Sequence, residues 1–336
     1  MPTPLEALDE IARLLEHALA NPYKARAFRK AATAIAGLDD DAIASRLVDG
    51  SLRKVPGIGE RSYQVILEAA AGTVPRYLAD LREQAGVPAG GVLRAALRGD
   101  LHSHTDWSDG TTPLAAMAKA AQALGHEYLA ITDHSPSLRV ANGLSAERLE
   151  AQLELIDVST DAYGVRLLAG IEVDILADGS LDQTPELLGR LDVVVGSVHS
   201  KLRMDGAEMT KRMLRAIQSG RMHVLGHCTG RLVGGSRGTR PQSEFDAERV
   251  FAACASAGVA VEINSRPERQ DPPDDVLALA VAAGCLFSID SDAHAPGHLA
   301  FLDLGAARAE AAGIEAERIV TTWPVERLLE WTGEAR

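Results

Sequence analysis

Cysteine is scarce in this chain. Three residues in 336 (Cys228, Cys254, Cys285) are odd in number and widely spaced. That argues against a disulfide framework or a zinc ribbon and points to a reducing, cytoplasmic setting. Aromatic side chains make up only 4%, so the core must be built from Ala, Leu, Val and Ile. No apolar run approaches the roughly 20 residues that span a bilayer, so no membrane association is expected. The acidic opening MPTPLEALDE lacks the pattern of a signal peptide. Glycine-rich GxGxxG and Walker A loops are missing, which argues against nucleotide-cofactor chemistry. No Ser-His-Asp or Cys-His set stands apart from the histidines described below. What is present, 46% hydrophobic and 24% charged residues, is the composition of a globular protein long enough for two domains or a barrel with an appendage.

Charge is unevenly placed. Net charge is −13, but residues 1–98 carry 13 basic against 12 acidic side chains and the rest 21 against 35. Lys24, Arg26, Arg29 and Lys30 form one basic cluster, and Arg53, Lys54 and Arg61 another. The acidic remainder would repel nucleic acid unless bound cations offset it.

The first third reads as helices. Residues 5–19 place Leu8, Ile11, Leu15 and Leu19 on one stripe. Further helices are expected over 23–35, 40–48 and 60–71, the last preceded by Val55-Pro56-Gly57-Ile58-Gly59. Val87-Pro88-Ala89-Gly90-Gly91 marks a linker. Domains are expected over 1–90 and 99–336. Beyond residue 99 short apolar runs alternate with Ala-rich helical stretches, the rhythm of βα units around a parallel sheet. Seven strands are expected: 100–104, 128–132, 167–173, 192–198, 223–225, 259–263 and 286–289. Thr112 reads as the N-cap of the helix after the first strand, with Pro113 in its first turn and Gly125 as its stop.

Each of these strands ends in polar residues. His102-Ser103-His104 is followed by Asp109. Then come Asp133-His134, Glu172 and Asp174, His199, His227, Glu262 and Asn264, and Asp292-Ala293-His294. Residues i and i+2 of a strand share a side, and in a parallel barrel all C-terminal strand ends open on one face. Six histidines (102, 104, 134, 199, 227, 294) and three carboxylates (Asp109, Glu172, Asp292) are therefore expected to converge. Bound metal compensates such a concentration of polar groups. Mixed imidazole and carboxylate ligands suit Zn, Mn or Fe, and nine ligands suffice for two or three ions, with Glu172 free to bridge. His17, His126 and His223 are expected to sit at the surface or in ordinary polar contacts.

At these residues the sequence resembles the PHP (polymerase and histidinol phosphatase) family. The matching segments are DLHSHTDWSDG, ITDHS, GIEVDI, GSVHS, LGHCTGR, EIN and SDAH. The resemblance implies a distorted (β/α)7 barrel and a metal-dependent phosphoesterase. It implies one ion on His102, His104, Glu172 and Asp292, a second on Glu172, His199 and His227, and a third on Asp109, His134 and His294. Asp109 stands where some relatives carry histidine, and Cys228 where they often carry proline. NPYKARAFRKAA and VPGIGERSYQVILEAAAG are similar to the helix-hairpin-helix domain that opens bacterial family X DNA polymerases, whose C-terminal PHP domain is the nearest likeness. Between the helical domain and His102 there is no room for a polymerase palm, so polymerisation is not expected. Val65 occupies the place of the lysine that lyase-active relatives use, so lyase activity is not expected either.

Gly57 and Gly59 let backbone approach a DNA phosphate, with Lys54 and Arg61 beside them and the amides of 57–61 facing it. DNA is thus the expected partner, through residues 20–80. Phosphoester hydrolysis by a metal-bridged hydroxide is the expected chemistry. Glu172, Asp292 and His199 are the expected catalytic residues, and Arg231, Arg266, Arg269 and Lys201 candidate phosphate clamps. Two substrate classes fit. One is a DNA end in repair (3′→5′ exonuclease, 3′-phosphatase or abasic endonuclease). The other is a small phosphate monoester such as histidinol phosphate or a nucleotide.

Overall fold

The computed structural model describes residues 1–85, 91–159, 162–235 and 238–334. The chain divides into two compact units, Met1–Val87 with Gly234–Gly238, and Pro88–Val233 with Thr239–Arg336. Residues 87–90 of the expected linker lie outside the described residues.

The N-terminal unit is helical: α1 Pro4–His17, α2 Pro22–Ile35, α3 Asp40–Val48, α4 Glu60–Ala70 and α5 Arg76–Ala85. A reciprocal capping box starts α1, Thr3 accepting from the Glu6 amide and Glu6 from the Thr3 amide. The helix ends earlier than its apolar stripe predicts. Leu19 sits in the left-handed region at φ +49°, and the Ala20 amide reaches back to the Leu15 carbonyl, so Leu19 serves in the closing turn. Leu8, Ile11, Phe28, Ile35, Val65, Ile66 and Leu78 form the core of this unit. Gly57 is left-handed at φ +98°, and a Cβ there would meet the Lys30 carbonyl oxygen at 3.2 Å.

The second unit is α/β. Seven parallel strands follow one another in sequence order: β1 Gly99–Asp100, β2 Tyr128–Ile131, β3 Arg166–Asp174, β4 Val193–Ser197, β5 Val224–Leu225, β6 Ala260–Asn264 and β7 Phe287–Asp290. The outer helices are α6 Val92–Ala96, α7 Leu114–Ala123, α8 Ala146–Ser159, α9 Pro185–Leu188, α10 Gly206–Ile217, α11 Ala247–Ala257, α12 Asp274–Ala282, α13 Leu302–Ala311 and α14 Val325–Glu334. The barrel is nearly closed: β7 and β1 meet through one parallel bridge, Ser103 with Ala293, rather than a ladder. The first-strand expectation of residues 100–104 shrinks to two for a local reason. The amides of Leu101, His102 and Ser103 donate to the side chains of Asp290, Asp100 and Thr132 instead of a neighbouring strand.

This unit also begins earlier than residue 99. Leu93 and Leu97 join the barrel's outer core, and the Leu93 amide donates to Glu310 at 2.7 Å. Pro113, not Thr112, occupies the N-cap of α7. At the strand N-termini Tyr128, Val193, Val224 and Ala260 pack with Trp323, Val325 and Leu328, so the C-terminal segment plugs that end of the barrel. Cys228 is buried among apolar side chains.

Candidate metal centre

The loops and strand ends at the opposite rim gather all nine candidate ligands. Fully buried Glu172, from β3, is the centre. Its Oε1 lies 2.8 Å from His227 Nε2 and 3.2 Å from His199 Nε2. Its Oε2 lies 2.9 Å from His134 Nδ1, 3.3 Å from His102 Nε2 and 3.6 Å from His104 Nε2. Asp292 Oδ1 faces His104 Nε2 at 3.5 Å. Asp109, on the loop after β1, turns Oδ1 to His294 Nε2 at 3.3 Å and His134 Nε2 at 3.5 Å.

Four overlapping groups have ligand atoms within 4.8 Å of one another: His104, Asp109, His134 and His294; His102, His104 and Asp292; His102, Glu172 and His227; and His134, Glu172 and His199. The grouping is less separable than the three-ion division the resemblance implies. His134 faces both Glu172 and Asp109, and His102 joins His227 as well as His104.

The donor set fits cations. Buried ring nitrogens without a hydrogen-bond partner include His102 Nε2, both nitrogens of His104, His134 Nδ1, His199 Nε2 and His227 Nδ1. Orphaned buried acceptors on this scale are costly unless a ligand takes them. Carboxylates fix the rings: His102 Nδ1 lies 2.6 Å from Glu262 Oε1, and His199 Nδ1 2.5 Å from Asp174 Oδ1. In the neutral ring, with the proton held at Nδ1, each Nε2 would offer its lone pair to a cation on the Glu172 side. His294 Nδ1 has two neighbours, the Asp292 carbonyl at 2.9 Å and Arg266 Nη1 at 3.0 Å. Only donation to the carbonyl leaves Nε2 a lone pair.

Electrostatics follow the geometry. Burial pushes the Glu172 carboxyl up, but the imidazoles of His199, His102 and His134 outweigh it and hold it well below the usual range. Burial is likewise outweighed at Asp292, by Arg266 and Arg269. Burial disfavours charge on His199, yet Glu172 and Asp174 raise it to about 9. Burial and the neighbouring His294 and His134 hold His104 well below its ordinary value. Asp292 itself is left-handed at φ +51°, a strained placement for a non-glycine residue that its contacts must sustain.

The expected phosphate clamps divide. Arg231 is turned away, its donors on the carbonyls of Arg269 and Gln270. Arg269 is buried with Nε 2.9 Å from Asp292 Oδ2. Asn264 Nδ2 adds 3.2 Å to the same oxygen, leaving Oδ1 for the cluster. Arg266 stays beside the ligands, held by Glu268 at 2.6 Å and lying 3.5 Å from Asp292 Oδ1. Lys201 is exposed just beyond His199. Asp174, Glu262 and Asn264 were visible at strand ends, but their partners were not. Asp133, accepting from Thr105, Ser108 and Gln152, organises the loop after β1.

His126 contradicts its surface reading: it is buried with both ring nitrogens unpartnered. His223 keeps ordinary contacts, with the Val194 amide and the Thr332 carbonyl.

In the helical unit, two of the five amides expected to face DNA are spent within the fold, Ile58 on the Val55 carbonyl and Gly59 on Ser62 Oγ. Lys54 and Arg61 are exposed, and the Arg61 guanidinium lies 5.2 Å from the Tyr77 ring centre.

Comparison with known proteins agrees with this geometry. A PHP domain is matched over residues 100–266 and a helix-hairpin-helix domain over residues 2–72. The DNA polymerase/3′-5′ exonuclease PolX of Bacillus subtilis is 38% identical over 199 residues, 59% of this chain. The match spans only 34% of that relative's length. A probable phosphatase of Vibrio parahaemolyticus is 30% identical over 237 residues, 66% of this chain and 88% of the relative. Probable phosphatase YcdX of Escherichia coli is 29% identical over 241 residues, 68% of this chain and 91% of the relative. With its barrel, its rim of histidines and carboxylates and these relatives taken together, the chain belongs to the PHP family and carries a helix-hairpin-helix domain ahead of its barrel.

Proposed function

We propose that this protein is a metal-dependent phosphoester hydrolase acting at DNA ends, as a 3′→5′ exonuclease, 3′-phosphatase or abasic-site endonuclease. The observation that carries the hydrolase reading is the set of nine converging ligands with orphaned ring nitrogens. Divalent Zn, Mn or Fe held there would activate water near neutral pH and offset charge on the phosphoryl oxygens. The chain's own part is orientation. Glu172 turns its two oxygens to different histidines, Glu262 and Asp174 hold the protons of His102 and His199 at Nδ1, and Asn264 and Arg269 restrict Asp292 to one open oxygen. Arg266, beside Asp292, and exposed Lys201 are the cations we assign to a phosphate. Glu172, Asp292 and His199 are the residues whose loss is expected to abolish turnover.

Support for DNA comes from the helical unit. The starts of α2 and α4 border a cavity of about 390 Å³ lined in part by Tyr23, Lys24, Gly59 and Arg61. The start of α4 and two cations favour a phosphate there, while the first amides of α2 are taken by Asn21 and Glu60 also lines the cavity. No lyase step is expected, because Val65 is buried core. The second reading, a small-molecule phosphatase, is favoured by relatives described as probable phosphatases that align over 237 and 241 residues, close to the barrel's own length.

One experiment separates them. Incubate the protein and Mn²⁺ with a labelled oligonucleotide, a 3′-phosphate oligonucleotide and histidinol phosphate. Turnover of either oligonucleotide is expected; turnover of histidinol phosphate alone would eliminate the DNA reading.

A further inference from the structure

We propose that Arg212, on α10 outside the barrel, is a positioning residue for His199. The proposal deepens the metal-site reading and rests on it for one of two readouts. Arg212 is 2% exposed, which is rare for a guanidinium unless its donors are answered. They are answered by oxygens rather than by a carboxylate. Nε donates to the Ile175 carbonyl at 3.0 Å, joined there by Nη2. Nη1 donates to the Ser200 carbonyl at 2.9 Å, and Nη2 also lies 3.4 Å from Ser200 Oγ.

The places of these acceptors are the point. Ile175 directly follows Asp174, and Ser200 directly follows His199. Asp174 Oδ1 and His199 Nδ1 are the 2.5 Å pair that aims His199 Nε2 at Glu172. One planar fork therefore fastens the end of β3 to the loop leaving β4, a single residue beyond the pair on each side. The Ile175 amide adds a bond to the Ser197 carbonyl at 2.8 Å, so the join is made once ahead of the ring and once beyond it. A guanidinium with several donors can span two carbonyls at fixed separation; an ammonium reaches them only as a point. Arg212 makes no hydrogen bond to any of the nine ligands; it acts through the Ile175 and Ser200 carbonyls and through its charge near Asp174.

The test compares Arg212→Met and Arg212→Lys with the unaltered full-length chain. The first readout is the downfield Nδ1–H proton resonance of His199 by NMR, without added metal. The corresponding resonance of His102, anchored by Glu262 and remote from Arg212, is the internal reference. The second is the Mn²⁺ binding isotherm. In Arg212→Met the His199 resonance is expected to broaden or move while that of His102 stays, and Mn²⁺ affinity to fall about tenfold, as for other outer partners of metal ligands. Arg212→Lys, which keeps charge and stem, is expected to fall between. A His199 resonance like that of the unaltered protein in Arg212→Met would overturn the proposal. If that variant does not fold, the same result in Arg212→Lys would do so. Failure of the unaltered protein to bind Mn²⁺ would sink the metal-site reading instead, and the NMR comparison would still decide the role of Arg212.

Discussion

Glu262 shows how much of the rim depends on residues that ligate nothing. It is fully buried, takes the Nδ1 proton of His102 on one oxygen, and accepts the His227 amide at 2.5 Å on the other. Replacing it with alanine would free the His102 ring and strand the His227 amide. Glu262→Ala is expected to weaken divalent-ion affinity by about 10- to 100-fold, measured by metal titration. His126 makes a different statement, about stability. Burial first, then Arg94, lowers its ring to about 4. The unfolded chain, near 6.5, takes up a proton that the folded chain refuses, so stability is full above pH 6.5 and is lost as pH falls toward 4. The slope due to this one group approaches about 1.4 kcal/mol per pH unit. His126→Leu should flatten the pH dependence of the urea midpoint over that window relative to the unaltered protein. The histidines with raised values act in the opposite sense, and the comparison cancels them.

Among elements, the hairpin ahead of α4 is the most exposed to a single change. Gly57 combines φ +98° with a backbone oxygen 3.2 Å from where a Cβ would stand. Gly57→Ala is expected to cost about 1–2 kcal/mol, visible as a lower thermal midpoint of the helical unit. The elements also show what was legible in the sequence. β2, β3, β4 and β6 announced themselves because both faces of a parallel strand are buried and the runs are mostly apolar up to their C-terminal ends. Their polar ends announced the rim, since imidazole and carboxylate have little other reason to recur there. β1 was over-read, because side chains of Asp100, Thr132 and Asp290 replace a ladder and only closure brings them into reach. Arg231, Arg269 and Arg212 were opaque for a related reason. An arginine reads alike in sequence whether its fork meets a phosphate, a carboxylate or a carbonyl. His126 was misread because periodicity does not reveal an imidazole buried without a partner.

At the scale of the molecule, the two units differ in charge, and that difference is testable. The first 98 residues are near neutral overall while the remainder carries the acid excess. On the proposed DNA reading, affinity should therefore rest on a few cations in the helical unit rather than on the bulk field. Each removed phosphate contact lowers the salt slope of binding by about one. Lys54→Ala with Arg61→Ala is accordingly expected to reduce the slope of log affinity against log salt by about two. An unchanged slope would place the contact elsewhere.

The gap between the last strand and the first has a consequence of its own. Among the described residues, one parallel bridge at Ser103 and Ala293 and the Thr111 amide on the His294 carbonyl stitch the backbone there, with His102 and His104 on one lip and Asp292 and His294 on the other. An ion gripped from both lips acts as a rivet across an otherwise open stave joint. Stripping it with a chelator is expected to quicken amide hydrogen exchange at residues 101–104 and 290–294 while β3 and β4, laced by a full ladder, keep their protection. Cofactor and scaffold would then be one object: the barrel that presents the ligands is held round by what they hold.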